Sequence, residues 1–537
     1  MDSNRARGHT VSEQPREPAD VIVARGKLYT LNAKQPWAEA VAIRNGKIIA
    51  VGSNIDVEAY RGSRTQVIDA AGRMVLPGLV DTHCHLSMEL HREFYCEFRA
   101  QTVAQVRQAL RARLSAKPHD PVILGWALLT GEASRIGRRE LDDLVGDRPV
   151  LIFDGHHVFA NSKALEAAGI TRDTPDPDGG EICRDAATGE PTGILREGAG
   201  RMALSRLTPK ADRQHAAETY RKVFREANEF GLVRLHSAGF DIRRIGIFDE
   251  LRRQGELTMR MLVATVASPP RLTPEQIESM EQARRLNHDD WIDAGLVKFF
   301  QDGLVEMHTG AMIEPYQDGV GVRGELLWGR REFTEAVVEM NRRGFIVLAH
   351  AVGDRSVREI LDAYGVARRT NLNASILRIE HAEHVSHDDF SRFAALGVIA
   401  SIHPLFAEAV WNEQEACVGP QKMRLAFPWH SVVSGGGRLA FGSDFPAYTL
   451  NPWEAMQALV TRGPMPQERI TPAQAIEGYT LGAALAGGRQ KNEGSLEVGK
   501  FADLIIVSQN IFEIEPREIG KITVLLTMVG GRIVHQV

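Results

Sequence analysis

The segment MVLPGLVDTHCH, residues 74–85, decides the fold, because an apolar run leads directly into a His-x-His pair. Side chains alternate along a strand, so His83 and His85 point to the same side of it. Two neutral imidazoles at the C-terminal end of a buried strand can bind a divalent metal ion, and (β/α)8 barrels carry their chemistry at that end. A single His-x-His pair also arises by chance, so the interpretation depends on further ligands from the other strands.

Short apolar runs recur along the chain and predict eight parallel strands. The strand candidates lie at residues 75–83, 232–236, 259–266, 295–300, 345–350, 376–381, 398–403 and 439–443. From residue 232 onward, amphipathic helical stretches such as 332–343 and 355–368 separate most of them. This alternation is typical of a parallel sheet covered on both faces, and eight strands favour a closed barrel over an open sheet. The sequence therefore predicts an α/β protein with a (β/α)8 TIM-like barrel over residues 74–493.

Strand-like segments at both ends of the chain predict a second, smaller domain. Asn45-Gly46 near the N-terminus and Gly530-Gly531 near the C-terminus each lie between two such segments, and Asn-Gly is typical of a type I′ hairpin turn. Each end holds too few strands for an independent sheet, so we expect one sheet built from both ends. Residues 19–73 and 494–537 are therefore predicted to form a small β-sandwich domain.

The first two strand candidates of the barrel are much further apart in the sequence than a βα loop requires. The residues between them contain strand-like segments at 121–126 and 148–154 and a helical segment at 161–169. We therefore predict an inserted subdomain at about 86–205, lying over the mouth of the barrel. Residues 1–18 are polar and are predicted to form a disordered leader.

Composition narrows the classes of function and the compartment. The 537 residues carry a formal net charge of −5 without a basic stripe, so neither nucleic acid nor an anionic membrane is expected as a partner. No apolar run approaches the roughly 18 residues of a membrane span, and the N-terminus lacks the apolar core of a signal peptide. Four cysteines are too sparse for a disulfide framework and fit a reducing cytoplasm. We expect a cytoplasmic enzyme, and barrel enzymes of this size often form homodimers.

Four further residues lie where a metal site in a barrel would need them. They lie within or at the ends of four later strand candidates and are Lys298, His350, His381 and Asp444. The C-terminal ends of barrel strands converge on one face, so these side chains and the His-x-His pair should meet. Imidazole and carboxylate ligands suit zinc or a similar divalent ion. The alternative is that each histidine is a hydrogen-bonded core residue and that Asp444 caps a helix or holds a turn.

Lys298 needs a separate interpretation, because an ammonium group cannot ligate a metal ion. Burial lowers the pKa of a lysine and makes the neutral amine available as a nucleophile. Reaction with carbon dioxide would give a carbamate whose two oxygens can bridge two cations. The alternative is an ordinary paired lysine beside a site for one metal ion.

Motifs spread over nearly the whole chain carry a resemblance to a known family. They are LPGLVDTHCH (76–85), DGHHVFANSKAL (154–165), GEPTGILRE (189–197), VKFFQDG (297–303), HAVGDR (350–355), RIEHAEHV (378–385), FGSDFP (441–446) and GSLEVGKFADLIIV (494–507). In these motifs and their order the chain resembles the amidohydrolase superfamily, specifically the amidohydrolase 3 branch that includes N-substituted formamide deformylase. The resemblance implies a (β/α)8 barrel, a β-sandwich from both termini and a metal centre bridged by carboxylated lysine. It also implies hydrolysis of a non-peptide C–N bond, usually in a cyclic or N-substituted amide.

Carried over by position, the resemblance implies a set of metal ligands. One ion would be held by His83, His85 and Asp444, and the second by His350 and His381, with carboxylated Lys298 shared between them. Two zinc ions are the first expectation, and manganese and iron are alternatives. A metal-bridging hydroxide would attack the carbonyl or formyl carbon of a small-molecule amide, and Asp444 would pass the proton to the leaving nitrogen. The chain departs from the family where His403 replaces a common Gln and where Ser237 replaces a frequent Asp.

Other residues are candidates for supporting roles. His236 is assigned to the catalytic residues as a group that contacts substrate or stabilises an oxyanion, and a structural role is equally open. For His156, His157 and His403 a structural role is favoured over substrate contact. Asp302 and Glu380 are expected to orient metal ligands. Asp354 is expected to be a helix N-cap, and Trp126 is expected to pack in the core.

The alternatives to amide hydrolysis are a deaminase and a catalytically silent regulatory protein. A deaminase of an aminated heterocycle would share the barrel, but such enzymes commonly have a Glu shortly after the fifth-strand histidine. Here His350 is followed by Ala-Val-Gly-Asp. A catalytically silent regulatory relative would be expected to lack ligands, and all six are present. The substrate itself cannot be read from the sequence, because loops and the inserted segment shape the pocket.

Overall fold

The computed structural model describes residues 17–537 except 93, 130, 155–156, 178–179, 210, 320 and 372–374. Almost all of the predicted leader therefore lies outside the described residues. In the described part of the chain, no helix combines the length and the apolar character needed to cross a membrane.

The strands of the described chain are β1 Val21–Ala24, β2 Lys27–Tyr29, β3 Trp37–Ala38, β4 Ala40–Arg44, β5 Lys47–Gly52, β6 Gln66–Asp69, β7 Met74–Pro77, β8 Leu79–Cys84, β9 Tyr95–Ala100, β10 Ile123–Leu129, β11 Val150–Phe153, β12 His157–Ala160, β13 Gly180–Arg184, β14 Pro191–Glu197, β15 Leu232–Ala238, β16 Arg260–Val266, β17 Ile292–Phe300, β18 Ile346–Ala351, β19 Leu377–His381, β20 Val398–Ile402, β21 Arg438–Phe441, β22 Leu504–Val507, β23 Val524–Val529 and β24 Arg532–Gln536.

The helices of the described chain are α1 Asn54–Glu58, α2 Leu86–Arg92, α3 Val103–Ala116, α4 Arg138–Val145, α5 Ser162–Ala167, α6 Gly198–Leu207, α7 Arg213–Glu229, α8 Gly246–Arg253, α9 Pro274–Leu286, α10 Arg330–Arg342, α11 Asp354–Thr370, α12 Phe390–Leu396, α13 Phe406–Ala409, α14 Trp411–Met423, α15 Trp429–Ser434, α16 Pro452–Thr461, α17 Pro472–Glu477 and α18 Ala483–Ala486.

Eight parallel strands form the central sheet, in the order β8, β15, β16, β17, β18, β19, β20 and β21. The two outer strands meet through the residues that follow them. Asp444 N donates to His83 O at 2.8 Å, and His85 N donates to Phe445 O at 2.6 Å. The sheet is thus a nearly closed barrel, and this confirms the predicted α/β class and TIM-like barrel.

The segment 74–85 divides into two strands at Gly78. β7 pairs with β2 and β22 in a separate sheet, whereas β8 pairs with β15 in the barrel. A Cβ atom on Gly78 would collide with both methyl groups of Val233, so the chain passes this point only without a side chain. The single strand predicted at 75–83 is therefore wrong at its middle, because an apolar run does not reveal a change of sheet.

The segments at the two chain ends form two sheets rather than the expected one. The N-terminal part alone supplies the sheet β5-β4-β1-β6, and both ends supply the sheet β24-β23-β22-β7-β2-β3. Apolar residues of both sheets share one buried cluster, which includes Val23, Ile43, Leu504 and Met528. The predicted turn at Asn45-Gly46 is present, with both residues at positive φ between β4 and β5.

A sheet of its own stands between β8 and β15 in the sequence, in the order β13-β14-β12-β11-β10-β9. Because side chains alternate along a strand, its two faces bury different apolar sets. Ile123 and Val150 belong to the cluster shared with α3 and α4, whereas Leu124 and Leu151 belong to the cluster shared with α5 and α6. The inserted sheet is thus covered on both faces and has its own core.

Candidate metal centre

His83 stands at the centre of the polar side chains on the barrel axis. It is fully buried, and its Nδ1 lies 2.6 Å from Glu380 Oε2. Arg378 binds both oxygens of Glu380, at 2.9 Å each, and its Nη2 also donates to Thr82 O at 2.7 Å. An Nδ1–H that donates to a carboxylate leaves Nε2 with its lone pair, which is the state of a metal-binding imidazole.

His85 and Asp444 lie next to this lone pair. His85 Nε2 is 3.3 Å from His83 Nε2, and Asp444 Oδ1 is 3.1 Å from His85 Nε2 and 3.5 Å from His83 Nε2. Burial would raise the pKa of Asp444, but the close contact with His85 and the surrounding histidines hold that pKa well below its usual range. These three side chains therefore present two imidazoles and an anion to one point.

Three more histidines lie beside this group. The ring of His381 is 4.4 Å from that of His350 and 4.2 Å from that of His403, and the ring of His403 is 4.5 Å from that of His83. Nδ1 of His403 lies 3.2 Å from Gly442 O, so its Nε2 carries the lone pair. One ligand atom from each of His83, His381 and His403 lies within 4.8 Å of the others.

Burial keeps these imidazoles neutral. It lowers the pKa of His381 to about 4 and that of His403 to about 3, and it lowers the pKa of His83 well below its usual value. A neutral imidazole is the form that binds metal ions. His83, His381 and His403 are thus in the ligating state at neutral pH.

Lys298 reaches the same centre from β17. Its Nζ lies 3.3 Å from His83 Nε2 and 4.8 Å from the centroid of the Phe300 ring. The side chain is completely buried, and burial lowers the pKa of Lys298 to about 8. A substantial fraction of this amine is therefore neutral just above neutral pH.

The residues present fit divalent metal ions. Buried atoms without a hydrogen-bond partner in the described chain include His381 Nδ1, His403 Nε2 and Asp444 Oδ1. Buried polar atoms are normally satisfied, so a group of them at one point indicates a missing partner that accepts lone pairs. Imidazole nitrogens and carboxylate oxygens are ligands of zinc and similar ions.

The structure brings the six predicted ligands to one end of the barrel, but it also changes the expected grouping. Five of them line the cavity described below and the sixth, His83, lies directly beneath. His350 is outside the close groups of ligand atoms found among the described residues, and its Nε2 lies 3.2 Å from Gly303 O. His403 is in such a group although a structural role was favoured for it. Its position directly after β20 was the available signal, since the other candidate ligands also lie at or near the C-terminal ends of barrel strands. The ligand roles themselves stay predictions.

His236 does not lie where its predicted catalytic role requires. It is buried below the centre, its Nδ1 lies 3.1 Å from Arg378 Nη1, and its ring faces Gly487. It is not among the residues that line the cavity in the described chain. The sequence placed His236 correctly near a strand end. It could not show that the side chain points into the barrel interior. We therefore correct the role of His236 to support of Arg378.

Several supporting residues also differ from expectation. The N-cap of α11 is Gly353, so the N-cap prediction for Asp354 is wrong, and Asp354 instead accepts a hydrogen bond from Ile313 N at 2.8 Å. Asp302 accepts from Val352 N and Gly353 N and so holds the loop after β18.

In the inserted segment, His157 binds Asp154 through its backbone and side chain, and His156 lies outside the described residues. Trp126 lines the cavity, although core packing was expected for it.

A cavity of about 830 Å³ opens above the centre. Its floor carries Lys298, His381 and Asp444, and the inserted segment supplies one wall, with Trp126 and Phe153. The cavity therefore exposes the polar centre to a largely apolar space of small-molecule size.

A second buried polar group lies in another wall of this cavity and was missed by the sequence analysis. Glu306 lines the cavity, and Gln414 Nε2 donates to Glu306 at 3.3 Å and to Glu383 at 2.6 Å. Burial raises the pKa of both carboxyl groups above their usual range. No motif spacing links Glu306 to Gln414, which lies 108 positions further on, so only the fold reveals their contact.

A barrel whose strand ends gather histidines, an aspartate and a buried lysine under a cavity has the architecture of a metal-dependent hydrolase. Residues 66–535 match the model of the amidohydrolase family, and the chain belongs to this family. It is 28% identical to the protein LONG AFTER FAR-RED 3 of Arabidopsis thaliana, over 96% of this chain and 91% of that protein. It is 27% identical to N-substituted formamide deformylase of Arthrobacter pascens, over 95% of this chain and 97% of that enzyme.

A solved structure shows the same fold. It is that of an uncharacterized metal-dependent hydrolase from Pyrococcus horikoshii OT3, with a TM-score of 0.72 and 22% sequence identity. The likeness covers 92% of this chain and 99% of the other. At this identity the likeness supports the fold and not a particular reaction.

Proposed function

We propose that this protein hydrolyses a non-peptide C–N bond in a small-molecule amide: an N-substituted formamide, an N-acyl amine or a cyclic amide. The observation that carries the proposal is the convergence of His83, His85 and Asp444 with buried Lys298 at the floor of the cavity. Family membership and the 27% identity to a formamide deformylase support the same reaction class.

Two divalent ions, with zinc as the first choice, would be held by these residues together with His350, His381 and His403. Ions bound here would act as Lewis acids and would lower the pKa of water from about 15.7 towards 7. Lys298 would contribute as a carbamate, because its lowered pKa makes the neutral amine available to carbon dioxide.

Asp444 is proposed to handle the proton of the attacking water. Its Oδ1 is buried, lacks a hydrogen-bond partner and faces the cavity, and its low pKa keeps it ionised. A carboxylate in this position can accept a proton and pass it to the leaving nitrogen. His85, 3.1 Å away, holds the carboxylate in place.

The cavity favours a substrate with an apolar substituent on nitrogen. Its described lining includes the aromatic residues Phe98, Trp126, Phe153, Phe300 and Phe406. Such rings stabilise an apolar group by removing its surface from water. A formyl or acyl group would lie at the floor, and the substituent would extend towards the inserted segment.

The test combines metal analysis with a screen of N-formyl, N-acyl and cyclic amides. The wild-type protein should contain divalent metal and release amine from at least one class. Asp444→Asn should keep much of its metal and lose about 10²- to 10⁴-fold in turnover. The matched control is Asp388→Asn, because the side chain of Asp388 is 84% exposed. Release of ammonia from aminopurines or pterins alone, or a protein that cannot bind metal, would contradict the proposal.

The remaining expectations from the sequence are also part of this proposal. We infer a cytoplasmic enzyme that acts on a small molecule, without nucleic acid or membrane as a partner, and a homodimer as its assembly. The net charge of −5 and the lack of a basic stripe support the first two points. Sedimentation of the purified protein tests the third.

A further inference from the structure

A second group of metal-ligating side chains lies outside the cavity. His308 and Asp318 belong to the loop 301–329 between β17 and α10, and Cys417 belongs to α14. One ligand atom from each lies within 4.8 Å of the other two. None of the three is among the described residues that line the cavity above the barrel centre.

The two segments that carry these side chains are fixed against each other. Gln317 N donates to Cys417 O at 2.8 Å, directly beside the group. The ring of His308 packs on that of Tyr316, with the centroids 4.7 Å apart, and Tyr316 donates its hydroxyl to Gly310 O at 2.8 Å. Neighbours therefore fix the backbone at Cys417 and the imidazole of His308, and Asp318 is the exposed member of the group.

The backbone of His308 has a left-handed conformation, with φ at 59°. Such a conformation is uncommon outside glycine and is retained where the surroundings require it. The imidazole lies beside Asp318, and its Nε2 is within hydrogen-bond distance of the Asp318 carboxylate. His308, which supplies the imidazole, therefore has a strained backbone conformation.

The charges around Cys417 favour a cation. The thiol is buried, and burial, followed by the negative charges of Asp318, Glu306 and Glu413, raises the pKa of Cys417 to about 12. The same carboxylates that oppose a bare thiolate would stabilise a divalent ion bound to it. Thiolate, imidazole and carboxylate together are ligands of zinc.

We propose that His308, Asp318 and Cys417 form a second metal site that takes one zinc-like divalent ion. On binding, the S–H bond of Cys417 breaks, its proton leaves to solvent and the sulfur forms a bond to the ion. Three protein ligands leave the fourth tetrahedral position to water. The site is separate from the barrel centre and does not depend on the proposed hydrolysis.

The position of this second metal site indicates a structural role. The loop 301–329 supplies Leu304, Glu306 and Leu327 to the cavity wall, and α14 supplies Gln414, which bonds Glu306. An ion at the second site would therefore clamp the loop to α14 and hold this wall of the cavity in place.

Cobalt substitution distinguishes this site from the barrel centre, because none of the proposed barrel ligands is a cysteine. The whole protein, depleted of metal and reloaded with Co²⁺, should show thiolate-to-cobalt charge-transfer absorption. Cys417→Ser should lose this band and bind about one ion fewer per chain, whereas the metal bound at the barrel centre should change little. Cys183→Ser is the control, because Cys183 is also a free cysteine but is half-buried and lies in the inserted sheet.

His308→Ala provides a second variant that leaves the thiol intact. It should also lose one ion per chain, and alkylation of Cys417 in the zinc-loaded wild-type protein should be slower than in the metal-free protein. Equal metal content in wild type and Cys417→Ser, or cobalt spectra without a thiolate band, would overturn the second site. Neither result would bear on hydrolysis at the barrel centre.

Discussion

Two buried charged residues set the orientation of His83. Arg378 binds both oxygens of Glu380, and Glu380 accepts the Nδ1 proton of His83. Carboxylates in this position fix the tautomer of a metal-binding histidine and increase its basicity. The sequence predicted an orienting role for Glu380 without specifying its histidine, and the fold places the carboxylate beside His83.

Glu380→Gln tests this orienting role. The amide keeps the shape of the side chain but removes the charge, so metal affinity should fall about 10- to 100-fold. Competition with a chelator, followed by metal analysis, measures the change. Glu335→Gln, on the exposed face of α10, is the control and should leave affinity unchanged. Equal affinities in the two variants would remove Glu380 from the metal centre.

Lys298 should give the metal-free protein a pH-dependent stability. Its folded pKa of about 8 is below its ordinary value of 10.5, so between these pH values the unfolded chain binds more protons than the folded chain. Stability must then rise with pH across this window, by about 3 kcal/mol in total, and this contribution is constant below pH 8. Thermal unfolding in chelator and carbon dioxide-free buffer measures it. Lys298→Met should lack the rise, and a parallel pH profile in both proteins would refute the shift.

At the scale of elements, Gly78 is the point where the chain leaves one sheet and enters another. A methyl group there would overlap the side chain of Val233 on β15. Gly78→Ala should therefore destabilise the protein by about 1–3 kcal/mol, as overpacking does. Adding Val233→Ala should recover part of the loss, because the two side chains then fit.

Chemical or thermal unfolding of the four proteins in this cycle gives the interaction energy. Gly463→Ala is the neutral control, because no atom lies within 4 Å of the added carbon and φ is not positive. Additive effects of the two substitutions would show that the contact with Val233 is not the cause.

Strand ends were the part of the fold that the sequence predicted best. Predicted ends at residues 381 and 350 fall within one residue of the ends of β19 and β18, since ligand histidines terminate apolar runs there. The direction of a side chain inside a barrel was not predictable, because it depends on strand stagger between neighbours. His236 therefore lies outside the cavity lining, although a catalytic role was expected for it. His403 lies among the candidate ligands, although a structural role was expected. The break at Gly78 was hidden because both flanking strands are apolar.

At the scale of the whole molecule, the cavity is a joint product of two units. The barrel supplies its floor and the inserted sheet supplies Trp126 and Phe153 in its wall. Position in sequence could suggest that the insertion covers the barrel mouth, but not which of its residues face the centre. Under the proposed function, substrate choice would therefore depend on a unit that contributes no ligand to the proposed metal centre.

Trp126→Ala should change substrate choice without changing metal content. For a formamide with a bulky apolar N-substituent, kcat/KM should fall about 10- to 200-fold, since the variant loses an apolar contact. The smallest N-methyl analogue should lose little. Steady-state kinetics on the two substrates give the ratio, and Trp37→Ala in the β-sandwich is the matched aromatic control. Equal losses on both substrates would argue against a contact with the substituent.

The pairing of β7 with β22 joins residues near the start of the chain to residues near its end. During synthesis, β7 and β2 leave the ribosome long before β22, β23 and β24 exist. One edge of β7 therefore has no partner strand while the barrel is synthesised. An unpaired apolar strand edge promotes association with other chains. This edge of β7 is thus covered only after β22 has been translated.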